Sequence, residues 1–123
     1  ARVAKEARAR GILVNVADTA SLCDFIVPSI VNRGDLQIAI STGGASPALA
    51  RRLRQEIERM VGPEYAELVA LLESVRERIQ AEIPEPERRR AVFDQLIESD
   101  LLALIRKGDR SAIQARVEAI VSG

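Results

Sequence analysis

The second half of the chain carries apolar residues at helical spacing. Ser46-Pro47 supplies an N-cap residue followed by proline at the first helical position, and predicts a helix that Gly62 ends. A second helix is predicted up to the prolines at positions 84 and 86, a third up to Gly108, and a last one beyond it. In the second we expect Arg76 and Arg78 in the last turn, where the helix dipole favours cations. The four apolar stripes are Leu49, Leu53, Ile57 and Met60/Val61; Leu68, Leu71/Leu72, Val75 and Ile79; Phe93, Leu96, Ile97, Leu101, Leu102, Leu104 and Ile105; and Ile113, Val117, Ile120 and Val121.

The first part of the chain follows a strand pattern instead. A helical stretch over residues 1–10 leads into the apolar run at residues 12–16, which is typical of a buried strand. Residues 25–31 and 36–42 flank a polar turn at residues 32–35 and predict a β-hairpin. Pro28 cannot donate a ladder hydrogen bond, so its strand should lie at an edge or be interrupted there. Because a bare apolar edge aggregates, we expect a second subunit to cover it.

Composition narrows the chemistry of this chain of 123 residues. The chain has 18 basic and 18 acidic residues, so its formal net charge is zero and no electrostatic field of one sign covers its surface. We therefore expect neither nucleic acid nor an anionic membrane as a partner. A single cysteine, Cys23, cannot form an internal disulfide, and without a signal peptide or long apolar span in the sequence we expect a cytoplasmic protein. Histidine is absent, so any acid–base chemistry falls to carboxylates.

The segment Ser41-Thr42-Gly43-Gly44-Ala45-Ser46-Pro47 joins a predicted strand to a helix N-terminus. Such a loop exposes backbone N–H groups that, with the helix dipole behind them, can hold a phosphate or a carboxylate. Its glycines allow a large ligand to approach the backbone. The alternative is a tight turn whose only task is to cap the helix.

Asp18 and Asn15 are the polar candidates at the buried strand. Asp18 follows the strand's carboxyl end, where open α/β sheets place their ligands, but the same position suits a helix cap. Asn15 lies inside the apolar run, and a buried amide there needs a partner, either a loop or a cofactor. Cys23 is more typical of a small buried side chain than of a nucleophile, and no metal site is predicted. The run Arg88-Arg89-Arg90 indicates a solvated helix face rather than a contact to substrate carboxylates.

Three segments together resemble the precorrin-2 dehydrogenase/sirohydrochlorin ferrochelatase family, the N-terminal part of siroheme synthases. They are Asn15-Val16-Ala17-Asp18, Phe25-Ile26-Val27-Pro28-Ser29-Ile30, and Ile38-Ala39-Ile40-Ser41-Thr42-Gly43-Gly44-Ala45-Ser46-Pro47-Ala48-Leu49-Ala50-Arg51, in the family's order and spacing. The resemblance is strong over residues 10–55. In the helical remainder of the chain the resemblance rests on the pattern of apolar residues and not on a sequence motif.

The resemblance implies a fold of three parts, mostly helical overall. Residues 1–24 would be an α/β remnant of a Rossmann-like NAD-binding domain, residues 25–61 a dimerisation segment made of a hairpin and a helix, and residues 62–123 an all-α domain. Two subunits would enclose a tetrapyrrole cleft. The family's first strand and its G-x-G-x-x-G/A loop do not occur in the sequence, so we expect a fragment that does not bind NAD appreciably alone.

The resemblance also implies an activity and its residues. The family oxidises precorrin-2 to sirohydrochlorin with NAD, and many members then insert ferrous iron, as a substrate, to form siroheme. The catalytic aspartate matches Asp18, and Asn15 is assigned to the cofactor. The substrate-binding residues would be Ser41, Thr42, Gly43, Gly44 and Ser46. Thr42 stands where some relatives have a serine that can be phosphorylated. The competing hypothesis is a dimeric module that binds an anion or a tetrapyrrole without catalysis.

Overall fold

The computed structural model describes residues 27–123. The predictions for the helix at residues 1–10, the strand at residues 12–16 and the start of the hairpin therefore lie outside the described residues. The described part divides into two compact units. One contains the residues up to Asn32 together with Gln37–Met60, and the other contains Arg33–Leu36 and Val61–Gly123.

The predicted β-hairpin is confirmed, with a tighter turn than expected. Strands β1 (Ser29–Arg33) and β2 (Leu36–Ile40) form a two-stranded sheet. Only Gly34 and Asp35 lie between them, so two of the residues predicted for the turn belong to β1. Gly34 has a φ of 61°, a left-handed conformation that glycine adopts without steric cost. β1 begins directly after Pro28, which agrees with the missing N–H of that residue.

Helix α1 (Pro47–Met60) starts where the sequence predicts. The Ser46 hydroxyl accepts a hydrogen bond from the Leu49 amide at 3.1 Å, so Ser46 is the N-cap. The predicted apolar stripe is present but mostly open: Leu49 is 50%, Leu53 37% and Met60 70% exposed. Among the described residues, no side chains bury this stripe to the extent that is usual in a protein core.

The second unit contains four helices among the described residues: α2 (Glu64–Glu82), α3 (Pro86–Glu98), α4 (Leu101–Lys107) and α5 (Arg110–Ser122). Their backbones approach most closely between α2 and α4, α4 and α5, and α3 and α5. One apolar cluster joins them, formed by Val75, Ile79, Ile83, Val92, Leu96, Leu101, Val117 and Val121. The predicted stripes supply most of these side chains, because helical spacing places them on one face.

Helix α2 ends before Pro84, as expected, but the placement of Arg76 and Arg78 in its last turn was wrong. The last residue of α2 is Glu82, and the Ile83 amide still donates to the Ile79 carbonyl at 3.0 Å. The helix ends where Pro84 restricts the preceding residue to an extended conformation, as seen for Ile83. The breaking residue was correctly identified, but the charge pattern misplaced the last turn.

The single helical stretch predicted up to Gly108 is two helices. The Ser99 hydroxyl donates to the Leu96 carbonyl at 2.6 Å and accepts from the Leu101 amide at 3.3 Å. These side-chain bonds compete with the helical ladder and stop α3 at Glu98. The expected end at Gly108 is confirmed, since Gly108 closes α4 with a φ of 71°.

Helices α2 and α5 are joined by a charged network around Arg78. Its guanidinium donates to both carboxylate oxygens of Glu118, at 2.7 and 3.0 Å, and to Glu82 at 3.0 Å. Ser122 also donates to Glu118, at 2.7 Å. The hydrogen bonds from Arg78, then that from Ser122, lower the pKa of Glu118 from 4.5 to about 2.

We expect Glu118→Gln to change the acid stability of the protein. A carboxylate with a lowered pKa stabilises the folded state above its unfolded pKa of 4.5, and this contribution disappears as the pH falls toward 2. The free energy of unfolding of the wild type should therefore exceed that of the variant near neutral pH and approach it in acid. Urea unfolding across this pH range measures the difference. Glu77→Gln, on the same unit but outside the network, is the control, and an equal pH dependence for the two variants would contradict the assignment.

Candidate functional site

The loop between β2 and α1 contains all five predicted substrate-binding residues. Ser41, Thr42, Gly43, Gly44 and Ser46 follow one another between Ile40, the last residue of β2, and Pro47, the first of α1. The structure therefore places a strand end, two glycines and a helix N-terminus together. Their predicted role is a ligand-binding one.

Hydrogen bonds inside the loop already use three of its backbone donors. The Gly43 amide donates to the Ser41 hydroxyl at 3.1 Å, and the Ser46 amide donates to the Thr42 hydroxyl at 2.9 Å. The Ala45 amide donates to the Thr42 carbonyl at 3.2 Å. Among the described residues, the Gly44 amide has no such acceptor. The expected cradle of backbone amides thus loses three of its N–H groups to the loop itself, while Gly44 N–H remains.

The hydroxyl groups that accept hydrogen bonds from the loop amides can themselves donate to a ligand. The side-chain oxygens of Ser41, Thr42 and Ser46 each accept one backbone hydrogen bond. A hydroxyl that accepts still has its own hydrogen to donate, and no acceptor for these hydrogens is found within the described part. Together with Gly44 N–H, the loop offers four uncharged donors near a helix N-terminus. Such a set suits an anion.

Both glycines have left-handed backbones. The φ angles are 65° at Gly43 and 83° at Gly44, which other residues adopt only with strain. A Cβ atom at Gly43 would meet no atom within 4 Å, so the backbone there faces open space. A large ligand can reach the loop at this point.

A small pocket of about 90 Å³ lies beside the loop. It is lined by Val27, Ser29, Ile40, Ser41, Thr42, Gly44, Pro47 and Ala50. No charged side chain is among these residues. The pocket is large enough for one ligand group, such as a carboxylate, rather than for a whole cofactor.

The other predicted site residues lie outside the described residues. These are Asp18, assigned as the catalytic carboxylate, Asn15, assigned to the cofactor, and Cys23. Among residues 27–123 no group of three potential metal ligands occurs. The helices in the same range include none that is long and apolar enough to cross a bilayer.

Arg89 has a role that the sequence pattern did not reveal. Its guanidinium donates to the carbonyl of Ile83 and, at 3.3 Å, to that of Gln80, so it caps the C-terminal turn of α2. Arg88 and Arg90 are exposed, as expected of a solvated helix face. A helix that ends before a proline leaves carbonyl groups without partners. Pro84 was therefore the signal from which a capping role for a nearby arginine could have been predicted.

Three family models match successive parts of the chain. The model for a putative NAD(P)-binding domain matches residues 1–29, that for the central region of a sirohaem biosynthesis protein matches residues 33–60, and that for the sirohaem synthase dimerisation region matches residues 64–120. Together they cover most of the sequence.

Proteins named siroheme synthase match the same span. That of Methylococcus capsulatus is 44% identical over 108 residues, covering 88% of this chain and 23% of the relative. That of Thiobacillus denitrificans is 40% identical over 119 residues, covering 97% and 25%. The chain belongs to the siroheme synthase N-terminal family. This family member spans about a quarter of the length of these relatives.

The fold of this siroheme synthase family member is also found in a solved structure. The precorrin-2 dehydrogenase SirC aligns with a TM-score of 0.71, over 92% of this chain and 54% of SirC. At 23% sequence identity this similarity shows the fold. It agrees with the predicted order of a hairpin followed by helices.

Proposed function

We propose that the complete protein is a cytoplasmic enzyme of siroheme biosynthesis that oxidises precorrin-2 to sirohydrochlorin with NAD. The observation that carries this proposal is the succession of NAD(P)-binding, central and dimerisation family models along one chain. The matches to siroheme synthases over the same residues support it. The hydroxyl-rich loop at residues 41–46 provides a place for the acidic side chains of such a substrate.

The reaction needs a hydride acceptor and a base. Dehydrogenation removes one hydride and one proton from the macrocycle, and a bound nicotinamide supplies the acceptor. We assign Asp18 to the proton, because loss of hydride makes the adjacent ring positions acidic and the sequence has no histidine. The products are then sirohydrochlorin, NADH and a proton that the aspartate returns to solvent.

The described residues do not form the dinucleotide-binding loop. The glycines at positions 43 and 44 follow a strand of a two-stranded hairpin, not the buried strand of a βαβ unit that precedes a pyrophosphate loop. The match of residues 1–29 to an NAD(P)-binding model supports a contribution from that segment, including Asn15. We therefore assign no contact between the loop at residues 41–46 and NAD.

The loop at residues 41–46 is proposed to bind a carboxylate of the tetrapyrrole. Hydroxyl hydrogens of Ser41, Thr42 and Ser46 and the Gly44 amide supply donors, and the open space at Gly43 admits the macrocycle. Because these donors are uncharged, they can bind the anion without the desolvation of a buried cation. A phosphate on Thr42 would place negative charge at this point and repel the substrate.

The complete protein is proposed to be a homodimer, with residues 25–61 in the interface. The exposed stripe of Leu49, Leu53 and Met60 on α1 supports this assignment, since apolar side chains in a row commonly mark a contact surface. The edges of the two-stranded sheet also need a cover, because the backbone N–H and C=O groups of an edge strand can pair with another chain. The match of residues 64–120 to a dimerisation region supports the dimer and suggests that the helical unit contributes as well.

Leu53→Glu is expected to weaken the dimer of the complete protein by roughly thirtyfold, since a charge buried in an apolar contact costs about 2 kcal/mol or more. Gln55→Glu adds the same charge to an exposed position of the same helix and is the control. Analytical ultracentrifugation gives the dissociation constants. Equal constants for the two variants would place the interface away from α1.

An assay of the complete protein with precorrin-2 and NAD tests the activity. We expect formation of NADH and of sirohydrochlorin in equal amounts, and loss of free ferrous iron into siroheme if the protein is also a chelatase. Binding of precorrin-2 without NADH formation would favour the non-catalytic module. Oxidation without iron insertion would make the protein a dehydrogenase alone.

A further inference from the structure

The helical unit contains a groove whose lining includes none of the loop residues 41–46. It has a volume of about 380 Å³ and is lined by Leu72, Arg76 and Gln80 of α2 and by Arg89 and Phe93 of α3. The residues on each helix are four positions apart, so they form one row on α2 and one on α3. Although α2 and α3 are consecutive, they are not among the most closely packed helix pairs of this unit, which leaves space between the rows.

Arg89 is held in place within this groove. Its Nε and one terminal nitrogen donate to the carbonyls of Ile83 and Gln80. A guanidinium has five N–H donors, so further hydrogens remain for a ligand. Because the α2 carbonyls fix its position, Arg89 would lose little conformational entropy on binding.

The second guanidinium of the groove, that of Arg76, has no anionic partner among residues 27–123. Arg76 forms no ion pair with any residue of the described part, unlike Arg78 on the same helix, which pairs with Glu82 and Glu118. No carboxylate is among the lining residues of the groove. Two cations therefore share one groove whose lining residues include no carboxylate.

Leu72 and Phe93 give the groove an apolar wall. Both are partly buried and pack against the core cluster of the unit. An arginine next to an aromatic ring can hold a carboxylate while the ring contacts an apolar part of the same ligand. The volume lies within the range of small-molecule sites.

We propose that this groove binds a small carboxylate with an aromatic or other planar apolar body. Arg76 and Arg89 would bind the carboxylate, Gln80 would donate a further hydrogen bond, and Leu72 and Phe93 would contact the apolar body. This assignment rests on the helical unit alone and does not depend on the proposed oxidation of precorrin-2.

Calorimetric titration of the complete protein with 2-naphthoate tests the proposal. We expect saturable binding that weakens as salt is added, no saturable binding of succinate, which lacks the apolar body, and none of 2-naphthalenemethanol, which lacks the charge. Arg76→Gln should weaken 2-naphthoate binding at least tenfold, because it removes the charge and keeps much of the side chain. Phe93→Leu should also weaken it.

Arg88→Gln is the matched control, since Arg88 is an exposed arginine of α3 that does not line the groove. It should leave the affinity unchanged. Equal affinities for the Arg76 and Arg88 variants, with both folded by circular dichroism, would overturn the proposal. So would binding of an acidic, leucine-containing peptide at Arg76 in the absence of any 2-naphthoate binding, which would make the groove a protein contact.

Discussion

Replacing Asp18 by asparagine in the complete protein is expected to lower the rate of NADH formation from precorrin-2 by about a hundredfold or more. That is the typical contribution of a positioned general base. Asparagine retains the shape of aspartate and its ability to cap a helix, but it cannot take up the proton. The substitution therefore separates the two roles that the sequence leaves open for Asp18.

The comparison with Asp18→Ala completes this test. If Asp18 is the base, both variants lose activity to a similar extent, and precorrin-2 binding is largely retained. If Asp18 only caps a helix, the alanine variant is less stable by about 1 kcal/mol and the asparagine variant keeps its activity. Asp35→Asn, in the exposed hairpin turn, is the control for a lost surface charge. Asp18→Asn with more than a tenth of the wild-type rate would contradict the assignment.

The sequence predicted the elements of the described part well where one local signal dominates. Gly34, Pro47 and Gly108 each fix a turn or a helix end through backbone geometry alone. The buried side chains of α2 and α5 also follow from their spacing, because the apolar face of a helix in a small helical unit has few other places to lie.

The break between α3 and α4 was missed because it depends on competing hydrogen bonds. Ser99 lies within a run of apolar residues at helical spacing, which continues through Leu101 and Leu102. Only the structure shows its hydroxyl bound to the carbonyl of Leu96 and the amide of Leu101. Such a choice between a side-chain and a backbone partner does not alter the apolar pattern.

The loop at residues 41–46 shows the same limit at the candidate site. Its residue types indicated an anion site, and its position before α1 was predicted from Ser46-Pro47. The donors were not predicted, since the hydroxyls of Ser41 and Thr42 bind the amides that were expected to face a ligand. Which atoms face outward depends on side-chain rotamers that spacing does not specify.

The degree of burial of a residue in a predicted apolar stripe is likewise not specified by the pattern alone. Ile79 and Ile97 both belong to predicted apolar stripes, yet Ile79 is 0% exposed and Ile97 is 61% exposed. Ile97 lies in the last turn of α3, directly before the break at Ser99. An isoleucine side chain therefore contributes differently to the stability of the protein at these two positions.

Ile79→Ala is expected to destabilise the protein by about 2–5 kcal/mol, because it removes buried methyl groups and leaves a cavity among Val75, Leu96 and their neighbours. Ile97→Ala makes the same chemical change on an exposed face and should alter the free energy of unfolding by about 0.5 kcal/mol or less. Urea unfolding of both variants, followed by circular dichroism, measures the two values. Similar losses would mean that Ile97 is covered, which would place a contact surface on α3 as well as on α1.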